Sequence, residues 1–275
     1  MINLFNYIER PSPIHQLTGA SKLTCMLLWC VATMTTFYTP LLVLCAAAAF
    51  ALFKISKIKI REVSFLLGFV LVFMVMNNLM IFLFSPEHGV KLYHSRTVLF
   101  KIAGPYIVTA EQLFYHLNLI LKYLCTIPVV ILFVSTTNPS EFAASLNRIG
   151  VSYRVSYSVA LALRYIPDIQ RAYRDISQAQ QARGVEMSKK ASLTQRLKSA
   201  SAILIPLVLS SLERIEVVSN AMELRGFGKE KKRTWYVGRP FTKLDWLSML
   251  LCAGLMILSV LITVLTGSKF YNPFL

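Results

Sequence analysis

Ala182-Arg183-Gly184 and Leu224-Arg225-Gly226 each close a long helical stretch inside one basic segment of an otherwise apolar chain. An arginine in the last turn of a helix, followed by a glycine that lets the backbone leave it, sets a planar five-donor guanidinium on the end of a rigid rod. The chemistry this offers is gripping: a bidentate fork that holds a carboxylate in direction as well as position. One such end would be an ordinary cation at a helix C-terminus, worth roughly 0.3–1 kcal/mol. Two of them, in a protein without a motor of its own, predict docking sites.

The helices that carry these ends can be read from the same segment. Asn138-Pro139-Ser140-Glu141 opens a helix with an Asn or Ser cap and an acidic first turn, and Arg148-Ile149-Gly150 ends it. Ser156 to Arg164 is apolar and meets Pro167, where a break or kink is expected because proline removes a backbone donor. From Ile169 an amphipathic stripe of Ile169, Ala172, Tyr173, Ile176, Ala179 and Ala182 runs to Arg183-Gly184. A basic linker, Glu186 to Lys198, precedes a second round. Ala202 to Leu212 is apolar with Pro206 inside it, and Ile215, Val218, Met222 and Leu224 carry the apolar face to Arg225-Gly226. Pro167 precedes Arg183 by 16 positions and Pro206 precedes Arg225 by 19, so these are two similar arms, not a strict repeat.

The rest of the chain is membrane sequence. Its 275 residues are 55% hydrophobic, and several apolar runs reach the roughly 20 residues needed to cross a hydrocarbon core. An all-α, polytopic membrane protein with about five spans is expected: Lys22 to Tyr38, Pro40 to Phe53, Val63 to Phe84, Gln112 to Val134 and Leu244 to Thr266. Three regions follow: an N-terminal bundle over 1–137, a cytosolic coupling region over 138–243, and a final span over 244–275. The N-terminal stretch does not read as a cleaved secretory signal. Asn77, Asn78 and Lys122, placed within spans, are expected to face protein neighbours as polar glue. Ala46 to Ala49 form a small-residue patch suited to close helix approach, within the bundle or to another subunit.

With the N-terminus inside, five crossings put 24 of the 29 Lys and Arg residues in the cytosol, as the positive-inside rule requires. The net charge of +16 therefore suits anionic lipid head groups and an acidic protein partner, and it does not point to nucleic acid. Cys25, Cys30, Cys45, Cys125 and Cys252 lie in apolar spans without paired spacing, and His15, His88, His94 and His116 are scattered, so no metal site is expected. No phosphate-binding loop, HExxH, GxSxG or intramembrane carboxylate pair is present in the sequence, and no cofactor is expected on this chain.

On Leu163-Arg164-Tyr165-Ile166-Pro167, on Gln178 through Gly184, and on Glu223-Leu224-Arg225-Gly226, the chain resembles the transmembrane T component of energy-coupling factor (ECF) transporters, the CbiQ/EcfT family of ABC-type importers in prokaryotic cell membranes. The resemblance covers nearly the whole length. It implies that the two X-Arg-Gly motifs end two coupling helices and insert into grooves on two ABC ATPase subunits, with ATP and Mg bound there. It also implies a membrane S component that binds the vitamin or other micronutrient, contacted by faces such as Ser156 to Leu163 and Ala202 to Leu212. Leu224 stands where the family commonly has alanine. The transported solute is not written in this chain. The competing reading is a self-sufficient permease or channel, with Val155 to Pro167 and Ala202 to Leu212 as two further spans and Asn77, Asn78 and Lys122 on the path.

Overall fold

The computed structural model describes residues 10–103, 106–185, 192–230, 234–236, 238–265 and 270–273. In chain order the elements are α1 (Pro13–Gln16), α2 (Gly19–Thr35), α3 (Thr39–Ile55), α4 (Ile60–Phe84), α5 (His88–Tyr93), β1 (Val98–Ala103), β2 (Tyr106–Thr109), α6 (Ala110–Thr136), α7 (Pro139–Arg148), α8 (Tyr153–Ala182), α9 (Leu193–Leu224) and α10 (Lys243–Leu265). They form two units: residues 1–138 with 239–275, and residues 139–238.

The first unit is a bundle of α2, α3, α4, α6 and α10 whose helices alternate in direction. At one end the starts of α2 and α10 share a carboxylate, because Asp245 accepts from Thr18 N at 2.8 Å and from the Ser21 hydroxyl. The same end holds the close of α6, where Lys22 Nζ donates to Thr136 O at 2.9 Å, and the start of α4, where Arg10 pairs with Glu62 at 2.7 Å. At the opposite end Thr39, opening α3, donates to Asn118 at 2.8 Å, and Phe37 lies against Phe270, with ring centroids 4.6 Å apart. Between the ends α2 runs beside α10, with Ser259 donating to Ala32 O at 2.8 Å. A core of Trp29, Leu42, Cys45, Ala46, Ala49 and Cys125 packs α2 and α3 onto α6. Ala46 and Ala49 thus belong to the chain's own bundle.

By length and hydropathy three helices qualify as spans, α4, α6 and α10, while α3 is a shorter apolar helix of 17 residues. The expectation of five spans is narrowed to that extent. α2, also 17 residues and about 25 Å long at 1.5 Å per residue, nevertheless runs from one end of the bundle to the other beside α10. The outward faces of α4 and α10 expose Phe69, Val72, Leu250 and Leu251 at 66–68%. Such surfaces suit a hydrocarbon solvent, in which every backbone group is satisfied inside its own helix.

Of the polar residues expected between helices, Asn78 and Lys122 do act there. His116 bridges Asn78 of α4 at 2.9 Å and Gln112 at 3.0 Å. Lys122 donates to Met34 O at 2.9 Å, with its ammonium 3.3 Å from the centre of the Phe37 ring. That carbonyl belongs to the last turn of α2, so the lysine caps a helix end. One feature lay outside the sequence expectation: a two-stranded antiparallel hairpin, β1 with β2, before α6. Its base is held by Glu111, which accepts from Thr97 N at 2.9 Å and Ser95 Oγ at 3.0 Å.

In the second unit α7, α8 and α9 pack in sequence order. Two sequence expectations are corrected here. Pro167 does not break its helix: α8 is continuous over 30 residues, opened by a Ser152 cap. The stretch Glu186 to Lys198 is not all linker either, because Ser192 caps α9 and the helix begins at Leu193; residues 186–191 lie outside the described part. Both long helices are amphipathic, and neither qualifies as a span.

Asp245→Ala would leave the donors of Thr18 and Thr242, at two helix starts, without their shared acceptor. A loss of at least about 2 kcal/mol is expected, read as a lowered unfolding midpoint of the detergent-solubilised chain. An unchanged midpoint would show that the carboxylate does not hold the two helix starts together.

Candidate functional site

Each Arg-Gly end is built by the same backbone bonds. At the first, Gly184 N donates to Gln181 O at 2.9 Å and Val185 N to Gln180 O at 3.0 Å; at the second, Gly226 N donates to Glu223 O at 2.8 Å and Phe227 N to Met222 O at 2.9 Å. These are paired six-to-one and five-to-two closures, and they require the residue after the cap to be left-handed. Gly184 has φ +83° and Gly226 has φ +65°. Arg183 and Arg225 are the C-cap residues of α8 and α9. The glycine therefore turns the chain away and leaves the guanidinium at the rod's end.

The two rods are antiparallel. Gln180 on α8 meets Ala202 on α9 at 3.2 Å, Asp168 faces Arg214 at 3.7 Å, and Tyr157 lies tilted against Phe227, with centroids 4.7 Å apart. Arg183 and Arg225 consequently stand at opposite ends of the pair. From the level of Ala202 to Arg225 is roughly 35 Å at 1.5 Å per residue. Ala182, Arg183, Gly184, Leu224 and Arg225 are exposed and Gly226 is half-buried. The sequence-predicted residues thus fall into two separate sites, one per helix end.

What fixes each end was not visible in the motifs. Pro206 has no N–H, so the carbonyl four residues back, Ala202 O, loses its helical partner. The side-chain amide of Gln180 donates to that carbonyl, and the backbone oxygen of Gln180 closes the first cap. One residue thereby ties the first arginine's turn to the neighbouring rod. The second end is held by rings: Tyr153 and Tyr157 lie against Phe227, the residue that closes that cap, and Trp235 lies against both tyrosines. Arg154 donates to Gly228 O at 3.1 Å and Trp235 Nε1 to Asn147 Oδ1 at 3.2 Å. The i, i+4 spacing of Tyr153 and Tyr157 was the available signal, but their partners are 70 or more positions away. Arg225 also lines a groove of about 510 Å³ with Arg164, Arg214, Asp168 and Tyr165.

Fold and site together describe a polytopic helical membrane protein in which a two-rod segment, each rod ending in an arginine, is inserted between the last two spanning helices. Residues 10–236 match the profile of CbiQ, the cobalt transport protein family, and the chain belongs to that family. It is 30% identical over 243 residues to the energy-coupling factor transporter transmembrane protein EcfT of Streptococcus equi subsp. equi (strain 4047), covering 85% of this chain and 86% of that one. To the protein of the same name from Leuconostoc gelidum subsp. gasicomitatum it is 28% identical over 169 residues, 58% of this chain and 62% of the relative. A putative ABC transporter ATP-binding protein of Bifidobacterium longum (strain NCC 2705) is 30% identical over 143 residues, 48% of this chain and 18% of its own length.

Gly184→Ala and Gly226→Ala each place a Cβ on a left-handed residue. Each is expected to weaken its helix end by roughly 1–2 kcal/mol, seen as faster amide exchange at Val185 and Phe227 respectively. Unchanged protection at both would show that the turns do not depend on glycine.

Proposed function

We propose that this chain is the transmembrane T component of an ECF-type importer, and that Arg183 and Arg225 dock on two separate ABC ATPase subunits. The observation that carries the reading is the pair of identically closed helix ends facing opposite ways on one two-rod unit. An importer driven by two ATPases needs two such attachments, one for each moving subunit. The names of the relatives agree: two are energy-coupling factor transmembrane proteins and a third is an ATP-binding protein.

The mechanism is that of a lever. ATP binding closes two ATPase subunits, and the grooves that hold the arginines move with them. A guanidinium fork seated on carboxylates transmits direction, and a helix transmits the displacement along its length. The exposed apolar face of α9, with Leu204, Ile205, Val208, Leu209 and Leu212, then meets a substrate-binding S component, with the Ser156 to Leu163 stretch of α8 as a second piece. ATP and Mg are held by the ATPases, and this chain has no catalytic role.

The end of the bundle where α2 and α10 begin is assigned to the cytosol. It carries Lys54, Lys57, Lys59 and Arg61 around the short α3–α4 connection, and the chain leaves for residues 139–238 and returns at that same end. The cargo is assigned to the S component. Cobalt appears in the family's description, yet no cluster of three His, Cys, Asp or Glu side chains suited to a metal occurs among the described residues. The permease reading would need Val155 to Pro167 and Ala202 to Leu212 to cross the bilayer, whereas both lie inside amphipathic helices.

The double variant Arg183→Glu with Arg225→Glu is expected to abolish co-purification of the ATPase subunits and solute uptake while leaving membrane insertion intact. Normal assembly and uptake would overturn the proposal. Cysteines placed between Gly184 and Lys198 should be labelled only from the cytosolic side, and labelling from outside would restore the permease.

A further inference from the structure

The two arginine-tipped ends are alike in backbone and unlike in the side chains around them. Offsetting the chain by 42 positions superposes Arg183 on Arg225, Gly184 on Gly226 and Ala179 on Ala221. The same offset pairs Ala182 with Leu224 and Asp175 with Val217. Leu224 is 89% exposed and Val217 is 68% exposed, seven residues apart on one face of α9, with exposed Ala221 between them. On α8 the corresponding face carries exposed Asp175, Ala179 and Ala182. One rod therefore approaches its arginine along a branched apolar stripe, the other along a small and acidic one.

An aliphatic side chain exposed at nine-tenths beside a docking arginine is a poor choice for water and a good one for a pocket. We infer that the two ends are not interchangeable: the α9 end takes an ATPase groove with a leucine-sized apolar pocket beside the carboxylates that receive Arg225, and the α8 end takes a groove without that pocket, with a basic group opposite Asp175. Leu224 and Val217 on one rod, and Ala182 with Asp175 on the other, are the residues that set which ATPase surface each rod accepts. Leu224 and Ala182 each directly precede their arginine in the last turn, so a groove deep enough to seat the guanidinium also meets the side chain before it, and Val217 and Asp175 stand seven residues back on that side chain's face. This inference rests on the docking role proposed above.

The test uses the full-length chain in detergent with the purified ABC ATPase subunits of the same organism, measuring the affinity of each. Leu224→Ala is expected to weaken binding of one ATPase about tenfold or more and to leave the other unchanged. Ala182→Leu, which adds bulk where the groove has no room, is expected to weaken only the other. The swapped variant, Ala182→Leu with Leu224→Ala, should lose both, and Asp175→Val should act on the same ATPase as Ala182→Leu. Equal affinities for all four variants and the parent would overturn the inference. The Arg183→Glu and Arg225→Glu single variants serve as the reference. If they abolish binding while the four variants do nothing, docking stands and selectivity falls; if they too have no effect, the docking role itself is lost.

Discussion

Charge buried in an apolar bundle is tolerable only where a permanent opposite charge waits for it, and in the membrane unit that place is the helix end. Among the described residues its buried charges are Lys22, Glu111, Lys122 and Asp245. Asp245 lies at the N-termini of α2 and α10 and Glu111 at that of α6, where unpaired N–H groups carry partial positive charge. Lys22 donates to the final carbonyl of α6 and Lys122 to one in the last turn of α2, the opposite poles. Lys22, Lys122 and Asp245 thereby tie their own helices to others, and Glu111 ties α6 to the base of the β1–β2 hairpin. The network brings the close of α6 and the start of α10 to one end of the bundle, and those are the two points between which residues 139–238 are inserted.

Given fixed attachment points, the docking role proposed above asks the inserted segment for stiffness and two separated grips. Antiparallel rods of 30 and 32 residues supply both, because α9 terminates beside the beginning of α8 and α8 terminates at the level of Ala202 in the first half of α9. Placing both arginines at one end would have let a single partner occupy them. Their separation along the pair is of the order of a small domain's diameter, which matches two partners better than one. Lysine would give the same charge at either position but not the planar fork, so it would hold distance without holding direction.

The helices and their arginine tips were legible because apolar runs, caps and the Arg-Gly punctuation are local signals. Gly150, Gly184 and Gly226 each sit left-handed after a helix, as their position in the pattern implies. What escaped was non-local. The partners of Asp245 lie more than 220 positions away at Thr18 and Ser21, and Phe227 finds its rings at Tyr153 and Tyr157. No period or spacing can express such pairings. Pro167 makes no break for a related reason: the long amphipathic face of α8 keeps the helix continuous across one missing donor. The β1–β2 hairpin is short, and its anchor, the Glu111 carboxylate, reads in sequence only as an acidic first turn of α6.

Proline in each rod is the detail that a lever should forbid, and its treatment shows how stiffness is recovered. In α9 the carbonyl released by Pro206 is taken by Gln180 of α8, so a defect within one helix becomes a bond between two. In α8 the residue after Pro167 is Asp168, which faces Arg214 across the pair and Arg171 one turn on. These exposed ion pairs, at 3.7–3.8 Å, contribute little energy on their own. Their place is beside the turn from which Pro167 removes a donor. Gln180 does more, because the same residue closes the cap under Arg183. In the lever proposed above, a displacement of that arginine would be passed to α9 within one residue, without requiring either helix to be flawless.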